Sequence, residues 1–493
     1  MQAPLRREHL PPSARELRLK ALDRLLAHDP LVLDALAERA GLLREDGRFE
    51  EAKRDYLTLL RQRPTDFAAL NDFGTLALNA GYREAARSLY GAAVAHHPDN
   101  PAGRVNLANL LLALGEFAAA RSHFEAALRA DPGHAHAHRG LGNLLAAIGD
   151  EAGARLHRER GFRDHYLTTL AYRGEGRPVS VLLLVSALGG NIPTGSILDD
   201  RTFRTSVLVT EYADVTAPLP AHDLLFNGIG DADLCADGLA AACALVARSD
   251  APVINHPAKV RNSGRAANVE RLRGLPDVVV PRMAKVGRQL LTGPEGLGVI
   301  AGHGFSFPLL VRAPGFHTGQ HFVRVEDHAA LGVALADFPG EEVWLIEELD
   351  ARDEDGRYRK LRVMMIDGRL YPLHLAISQN WKVHYFRADM AHSAENRGKD
   401  EAFLADMAGF VGERGVAALE RIEAALGLDY GGVDFAVNSR GQILLFEANA
   451  TMVMIPLGAD EKWDYRRPAF DNVFAAIRSM LLQRASGAGA ASA

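Results

Sequence analysis

The sequence predicts a multidomain chain, with an all-α solenoid of paired helices over residues 1–170 and a second region of alternating strands and helices beyond it. Two observations predict this. In the first third, prolines, glycines and small residues recur every 34 residues. Past residue 180 the apolar pattern changes to short β-like runs such as VSVLLLVSA, TSVLVTEYA and DLLFNGIG.

The period is carried by several series at once. Pro30, Pro64, Pro98 and Pro132 share it, as do Gly47, Gly81, Gly115 and Gly149, and Ala52, Ala86, Ala120 and Ala154. Small residues recur in register at Ala40, Gly74, Ala108 and Gly142. Each has a physical job in stacked helix pairs. Small residues let helices approach, the glycine ends the first helix and starts the turn, and the proline sets entry into the next unit. Tyr56, Tyr90 and Phe124 are placed for one ring to fill the gap between neighbours. The pattern over residues 33–168 resembles the tetratricopeptide repeat, a fold that usually presents a concave face to a peptide or protein. The fourth unit departs from it, because Arg158 replaces the aromatic residue, so a polar capping helix is expected there. His134 and His138 can share a helix face and hold a metal, but no carboxylate cluster accompanies them, and with His136 they are read as repeat-junction residues.

Composition narrows the function classes. The 493 residues are 48% hydrophobic and 24% charged, with a net charge of −6, which gives no reason to expect a nucleic-acid or membrane-surface partner. Cys235 and Cys243 are too few for a disulfide framework and fit no common zinc spacing; two small buried residues are expected. The N-terminus lacks the apolar run of a signal peptide, and VLLLVSA is too short to span a bilayer, so a cytoplasmic protein is expected. The low-complexity end predicts a disordered tail over 483–493.

AYRGEGRPVS reads as a linker over 171–180. Residues 181–283 then read as an α/β subdomain: the three strands above, a helix in GLAAACALVARS, a short strand PVIN, a helix over Ala266–Gly274 and a strand DVVVP ending at Pro281.

The chemistry is concentrated later. GGVDFAVNSRGQILLFEANATM (431–452) holds two β-like runs joined by the turn NSRG. Alternate residues of a strand face one side, so Asp434, Glu447 and Asn449 can converge. Two carboxylates and an amide oxygen suit Mg2+. The alternative is an exposed hairpin with solvated acids; against it, these acids are embedded in apolar runs, where an unpaired charge is costly.

This arrangement resembles the metal-binding end of the ATP-grasp superfamily, which includes D-alanine–D-alanine ligase and glutathione synthetase. Other parts stand in the expected order. FPLLVRAPGFHTGQHFVRV (307–325) is similar to the strand, basic residue and flexible loop that close over phosphates. VWLIEELDAR (343–352) is similar to the strand that reads adenine and ribose, and RYRKLRVMMIDGRLYP (357–372) to the hairpin that follows. The resemblance covers about 180–482, with the nucleotide- and metal-binding region over 284–482, and implies an α+β ATP-grasp fold.

It also implies residue roles. Asp434, Glu447 and Asn449 would hold Mg2+, with Mn2+ as the alternative ion. Arg312 would contact the α/β-phosphates of ATP, and Arg265 would take the earlier basic position. Glu347, Glu348 and Leu349 would lie beside the nucleoside. Arg362 would reach the transferring phosphoryl group, acting with Arg312 as the catalytic pair, and Lys360 and Arg359 are adjacent candidates. His374, Lys382 and His384 fall where substrate contacts are common; each histidine reads equally well as a satisfied polar residue on a half-buried strand. Trp381 reads as packing, and HSAENRGKDEAF (392–403) as a mobile, solvated segment.

There is a departure from the superfamily. Lysine usually stands at the first two basic positions, where this chain has arginine, and PGFHTG has few glycines, so His317 and Thr318 are expected to replace backbone contacts. The resemblance implies an ADP-forming carboxylate–amine ligase acting through an acylphosphate, with the 313–319 loop excluding water. Its substrates would be a small carboxylate and amine, or a peptide or protein recruited by the repeats. Dimers are common in the superfamily, so a homodimer is compatible with it. The alternatives are a nucleotide-binding scaffold with a degenerate core and an ATP-grasp phosphotransferase.

Overall fold

The computed structural model describes residues 12–315, 319–383, 385, 388–454, 457 and 460–487. The chain divides into two compact units, Met1–Pro178 with Asp200–Asp214, and Val179–Asp199 with Val215–Ala493. No described helix is long and apolar enough to cross a membrane.

In the first unit α1 (Pro12–His28) precedes four helical hairpins: α2 (Leu33–Glu45) with α3 (Phe49–Gln62), α4 (Phe67–Asn79) with α5 (Arg83–His96), α6 (Pro101–Ala113) with α7 (Phe117–Ala130), and α8 (Ala135–Ala147) with α9 (Glu151–Phe162). The periodic glycines make the turns. Gly47, Gly81, Gly115 and Gly149 have φ of +71°, +86°, +79° and +84°, a left-handed conformation that only glycine adopts cheaply. The periodic aromatics are wedges. A Cβ on Gly74 would lie 2.7 Å from the Tyr90 ring, and one on Gly140 would lie 2.2 Å from that of Phe124. Asp66 and Asn100 cap α4 and α6 by accepting the N–H groups of Ala69 and Ala102.

Some expectations hold here, as for the repeat-junction histidines and the largely exposed, polar α9, and others need correction. Arg158 is buried, and its stem packs where Gly142 leaves room, so α9 turns one charged residue inward; a long aliphatic stem can cover apolar surface that an aromatic covers elsewhere. His134 caps α8 through Nδ1, and His138 bonds His157 and the Pro132 carbonyl. A short strand, β1 (Leu167–Thr169), falls in the span read as helical and pairs antiparallel with β3 (Phe203–Val209). Three exposed residues carry no readable period. Cys235 is buried, but Cys243 is only half-buried.

The second unit opens with parallel strands β2 (Val179–Val185), β4 (Leu224–Asn227) and β5 (Val253–Ile254), so β2 begins inside the span read as linker. Helices α10 (Ala236–Val246), α11 (Pro257–Arg261) and α12 (Arg265–Leu272) accompany them. A four-stranded antiparallel sheet follows, ordered β7 (Met283–Gly287), β10 (Glu342–Glu347), β8 (Leu309–Arg312), β9 (Phe322–Val325). Helices α13 (Arg288–Thr292), α14 (Gly296–Gly302) and α15 (His328–Ala336) bury Leu291, Ile300 and Leu331 against its Leu309, Val311, Val343 and Leu345.

The last sheet runs β12 (Arg369–Ser378), β11 (Tyr358–Ile366), β13 (Tyr430–Val437), β14 (Ile443–Asn449), β6 (Val278–Val279), antiparallel except for the β14–β6 pair. With it go α16 (Ala394–Ala405), α17 (Met407–Leu426) and α18 (Arg467–Ala485). Two more corrections follow. The segment read as mobile and solvated is α16, capped by Ser393, with Asn396, Asp400 and Phe403 buried; its polar look hid an acid with internal partners. α18 runs to Ala485, into the span read as a disordered tail, because Ile477, Met480 and Leu481 continue a buried stripe. The chain is thus helical hairpins followed by an α+β region.

Candidate active site

Strand register builds one row of functional groups. Across β12, β11, β13 and β14, His374 stands opposite Arg362, Arg362 opposite Asp434, and Asp434 opposite Glu447. Directly opposed residues of antiparallel strands share a face. The register is irregular just past Arg362 and just past Asp434, a distortion of the kind that re-aims side chains.

Asp434 is the centre of this row. Arg362 donates from Nε at 2.6 Å and from Nη2 at 2.8 Å to its two oxygens, and Lys360, two residues back on β11, donates from Nζ at 2.9 Å. Burial opposes ionisation of Asp434, but the Arg362 and Lys360 charges outweigh it and hold the carboxyl far below the usual range. Glu447 accepts Arg265 Nη2 at 2.6 Å; burial raises its pKa, and Arg265 brings it below the ordinary value. Asn449, two residues on, uses Oδ1 to accept the Thr451 N–H at 3.0 Å. The two carboxylates are therefore ionised, and with the Asn449 amide oxygen they are of the hard-oxygen type that Mg2+ takes, while Arg362, Lys360 and Arg265 now hold the two acids. No group of three or more His, Cys, Asp and Glu able to hold a metal occurs among the described residues.

Two adjoining cavities open at the Asp434–Glu447 end of this row, and Arg362, predicted as a catalytic residue, lines neither of them. One, of about 180 Å3, is lined by Arg265, Arg312, Arg359, Lys360, Lys382, Asp434 and Glu447, together with Glu347, Glu348 and Leu349 at the end of β10. The second, of about 220 Å3, shares Arg265, Arg312 and Glu447 and adds Asn449. Arg312 ends β8 with its guanidinium 5.5 Å from the Phe322 ring centre; burial, reinforced by the Arg265 charge, pulls its pKa down to about 10. Lys382 donates to the carbonyls of Gly319 and Phe322, tying its segment to β9.

Some predicted residues are already engaged. Glu347 accepts the Arg282 N–H at 2.9 Å, Glu348 pairs with Arg324 at 2.7 Å, and Arg359 pairs with Asp353 and Asp355. His374 does not line either cavity. It is buried behind Arg362, with its ring 4.8 Å from that of Tyr385, Nε2 without a hydrogen-bond partner, and a pKa pushed well down by burial and by Arg362 and Arg466. His384, His317 and Thr318 lie outside the described residues.

Sequence reasoning missed the loop after β4. Asp231 and Asp233 line the second cavity, and Asp233 accepts the Arg265 backbone N–H at 3.0 Å. The run GIGDADL after a strand was the available signal. Trp381, read as packing, lines the first cavity as well as meeting Phe322 edge-on at 5.2 Å.

Comparison with known proteins speaks to the first unit. Two family models, each described as tetratricopeptide repeat, match residues 77–123 and 105–157. Residues 77–157 are tetratricopeptide repeats. No curated protein matches the chain. Similar solved structures include YrrB, described as a TPR protein with an unusual peptide-binding site, at 22% identity over 31% of this chain and 80% of that one, with a TM-score of 0.28. MamA 41-end from Desulfovibrio magneticus RS-1 is 20% identical over 30% of this chain and 84% of its own, with a TM-score of 0.29. PilF of Pseudomonas aeruginosa is 20% identical over 30% and 75%, with a TM-score of 0.27.

Proposed function

We propose that the second unit is an ATP-grasp, ADP-forming carboxylate–amine ligase, and that the repeats recruit a peptide or protein to it. One observation carries the reading: the paired acids Asp434 and Glu447 line one cavity with Arg265, Arg312, Lys360 and Glu347–Leu349, and Arg362, just outside that lining, grips Asp434.

In such a reaction a substrate carboxylate oxygen attacks the γ-phosphorus of ATP, and the bond to ADP breaks. An amine then attacks the acylphosphate carbon, loses a proton, and expels phosphate. Mg2+, held by Asp434, Glu447 and Asn449, would supply neutralisation of phosphate charge. The chain's own residues do the rest. Arg312 and Arg265 meet phosphate oxygens, and bidentate guanidinium groups suit that task. Lys360 and Arg362 move their bonds from Asp434 towards the transferring group, so positive charge is concentrated where negative charge develops.

The clamp of Lys360 and Arg362 on Asp434 favours a second reading, a nucleotide-binding scaffold with a degenerate core, in which those cations stay where they are. A thermal-shift titration with ATP, with and without Mg2+, on wild type and Glu447→Gln tests the site. A Mg-dependent rise lost in the variant is expected. No rise at millimolar ATP would overturn the reading, and binding without ADP release across carboxylate and amine panels would favour the scaffold.

A further inference from the structure

Asp400 on α16 is fully buried, and the reaction outlined above does not use it. Its Oδ1 accepts the backbone N–H of Leu375 at 2.7 Å; its Oδ2 accepts the hydroxyls of Tyr465 at 2.7 Å and Tyr385 at 3.0 Å. Arg466, also buried, brings Nε to 3.7 Å of the same oxygen and lays its guanidinium 4.0 Å from the Tyr385 ring centre.

A buried acid can simply staple a helix to a sheet, and the bond to Leu375 would suffice for that. The remaining partners do something else. Leu375 is the neighbour of His374, and the Tyr385 ring packs on the His374 ring. Asp400 therefore holds His374 from two sides, by its backbone neighbour and by its ring contact. His374 in turn stands opposite Arg362, which grips Asp434. Tyr385 also follows closely on Trp381–Val383, which line the first cavity.

We propose that Asp400 is a positioning residue: acting through Tyr385, it sets His374 behind Arg362 and anchors the cavity wall at Trp381–Val383. This deepens the nucleotide reading and rests on it. The ring that packs on His374 is that of Tyr385 and not that of Tyr465, so the two tyrosines make a contrast even though their hydroxyls lie 3.3 Å apart.

The test uses the full chain with Asp400→Asn, Tyr385→Phe and Tyr465→Phe. Mg-ATP affinity is measured by calorimetry and Tm by thermal unfolding. The emission of Trp381 is read without nucleotide in a Trp344→Phe/Trp463→Phe background. The expected result is about a tenfold rise in Kd for Asp400→Asn and Tyr385→Phe, which loosen the ring packed on His374, and no more than about a twofold rise for Tyr465→Phe, whose ring is not the one on His374. Trp381 emission should move to longer wavelength in the first two variants only. Tyr385→Phe keeps the ring, so it decides the matter even where Asp400→Asn folds poorly. Unchanged affinity and emission in Tyr385→Phe would overturn the proposal, as would equal losses in all three variants that track Tm. If wild type binds no Mg-ATP, the nucleotide reading falls; the emission shift in Tyr385→Phe then upholds the positioning role by its presence or overturns it by its absence.

Discussion

The repeat unit and the last sheet of the second unit solve the same problem, burying large side chains, in opposite ways. In the repeats a wedge and its notch lie one helix apart, as Tyr90 does from Gly74, and the device recurs down the chain. At the sheet the partners are remote: Arg265 on α12 and Glu447 on β14 are 182 residues apart, and Lys360 and Asp434 are 74 apart. The wedge is apolar and tolerates no added volume. The row is charged and tolerates no missing partner. Local repetition makes stability a sum of neighbours, whereas strand register concentrates it in a few pairings.

Four outcomes would break or sharpen that contrast. The largest effect is expected from Phe124→Ala, which empties the space between adjacent repeats and should cost about 3–5 kcal/mol in urea unfolding. Nucleotide affinity should stay within about twofold, because repeat contacts act on neighbours only; its loss would end the separation. Next, Asp434→Asn leaves Lys360 and Arg362 facing one another without their carboxylate, a cost of about 3 kcal/mol by denaturant titration. An unchanged midpoint would mean that the row carries no structural weight.

Gly140→Ala comes third. Helix propensity favours it by about 1 kcal/mol, but its Cβ would meet Phe124, so a net loss of about 1–2 kcal/mol is expected. Phe124→Leu in the same chain should return part of it, and a stabilised single variant would refute the wedge. The smallest effect concerns pH. Burial opposes ionisation of Asp434, yet Arg362 and Lys360 hold its folded pKa well below the unfolded value of about 3.9. Its stabilisation is therefore complete above about pH 4 and declines as pH falls, since the unfolded chain takes up the proton first. Unfolding at pH 7 and pH 3 should show the gap between wild type and Asp434→Asn narrowing by about 1 kcal/mol. A gap that widens would reverse the assignment of charge.

The contrast also explains what could be read in advance. Gly47, Gly81, Gly115 and Gly149 announced their turns because a left-handed backbone demands glycine and the demand recurs. β13 and β14 were legible as β-like runs, and β10, β11 and β12 only through the resemblance of their segments to a known superfamily. α16 was not, because Asp400 and Asn396 look solvated until their partners from Leu375, Tyr385 and Arg357 are known. β1 and the Asp231–Asp233 loop were missed for a similar reason, being too short or too far from the main motif to carry a period of their own.

By itself the sequence determined the helical repeats, their turns and wedges, and which acids and cations were available for a site, since these follow from local period and residue type. Only the tertiary structure decided that His374 and Arg362 join Asp434 and Glu447 in one row, that His374 lines neither cavity, and that Asp400 is buried. Those facts depend on which strands pair and in what register, and a shift of one residue would turn every one of those side chains to the other face.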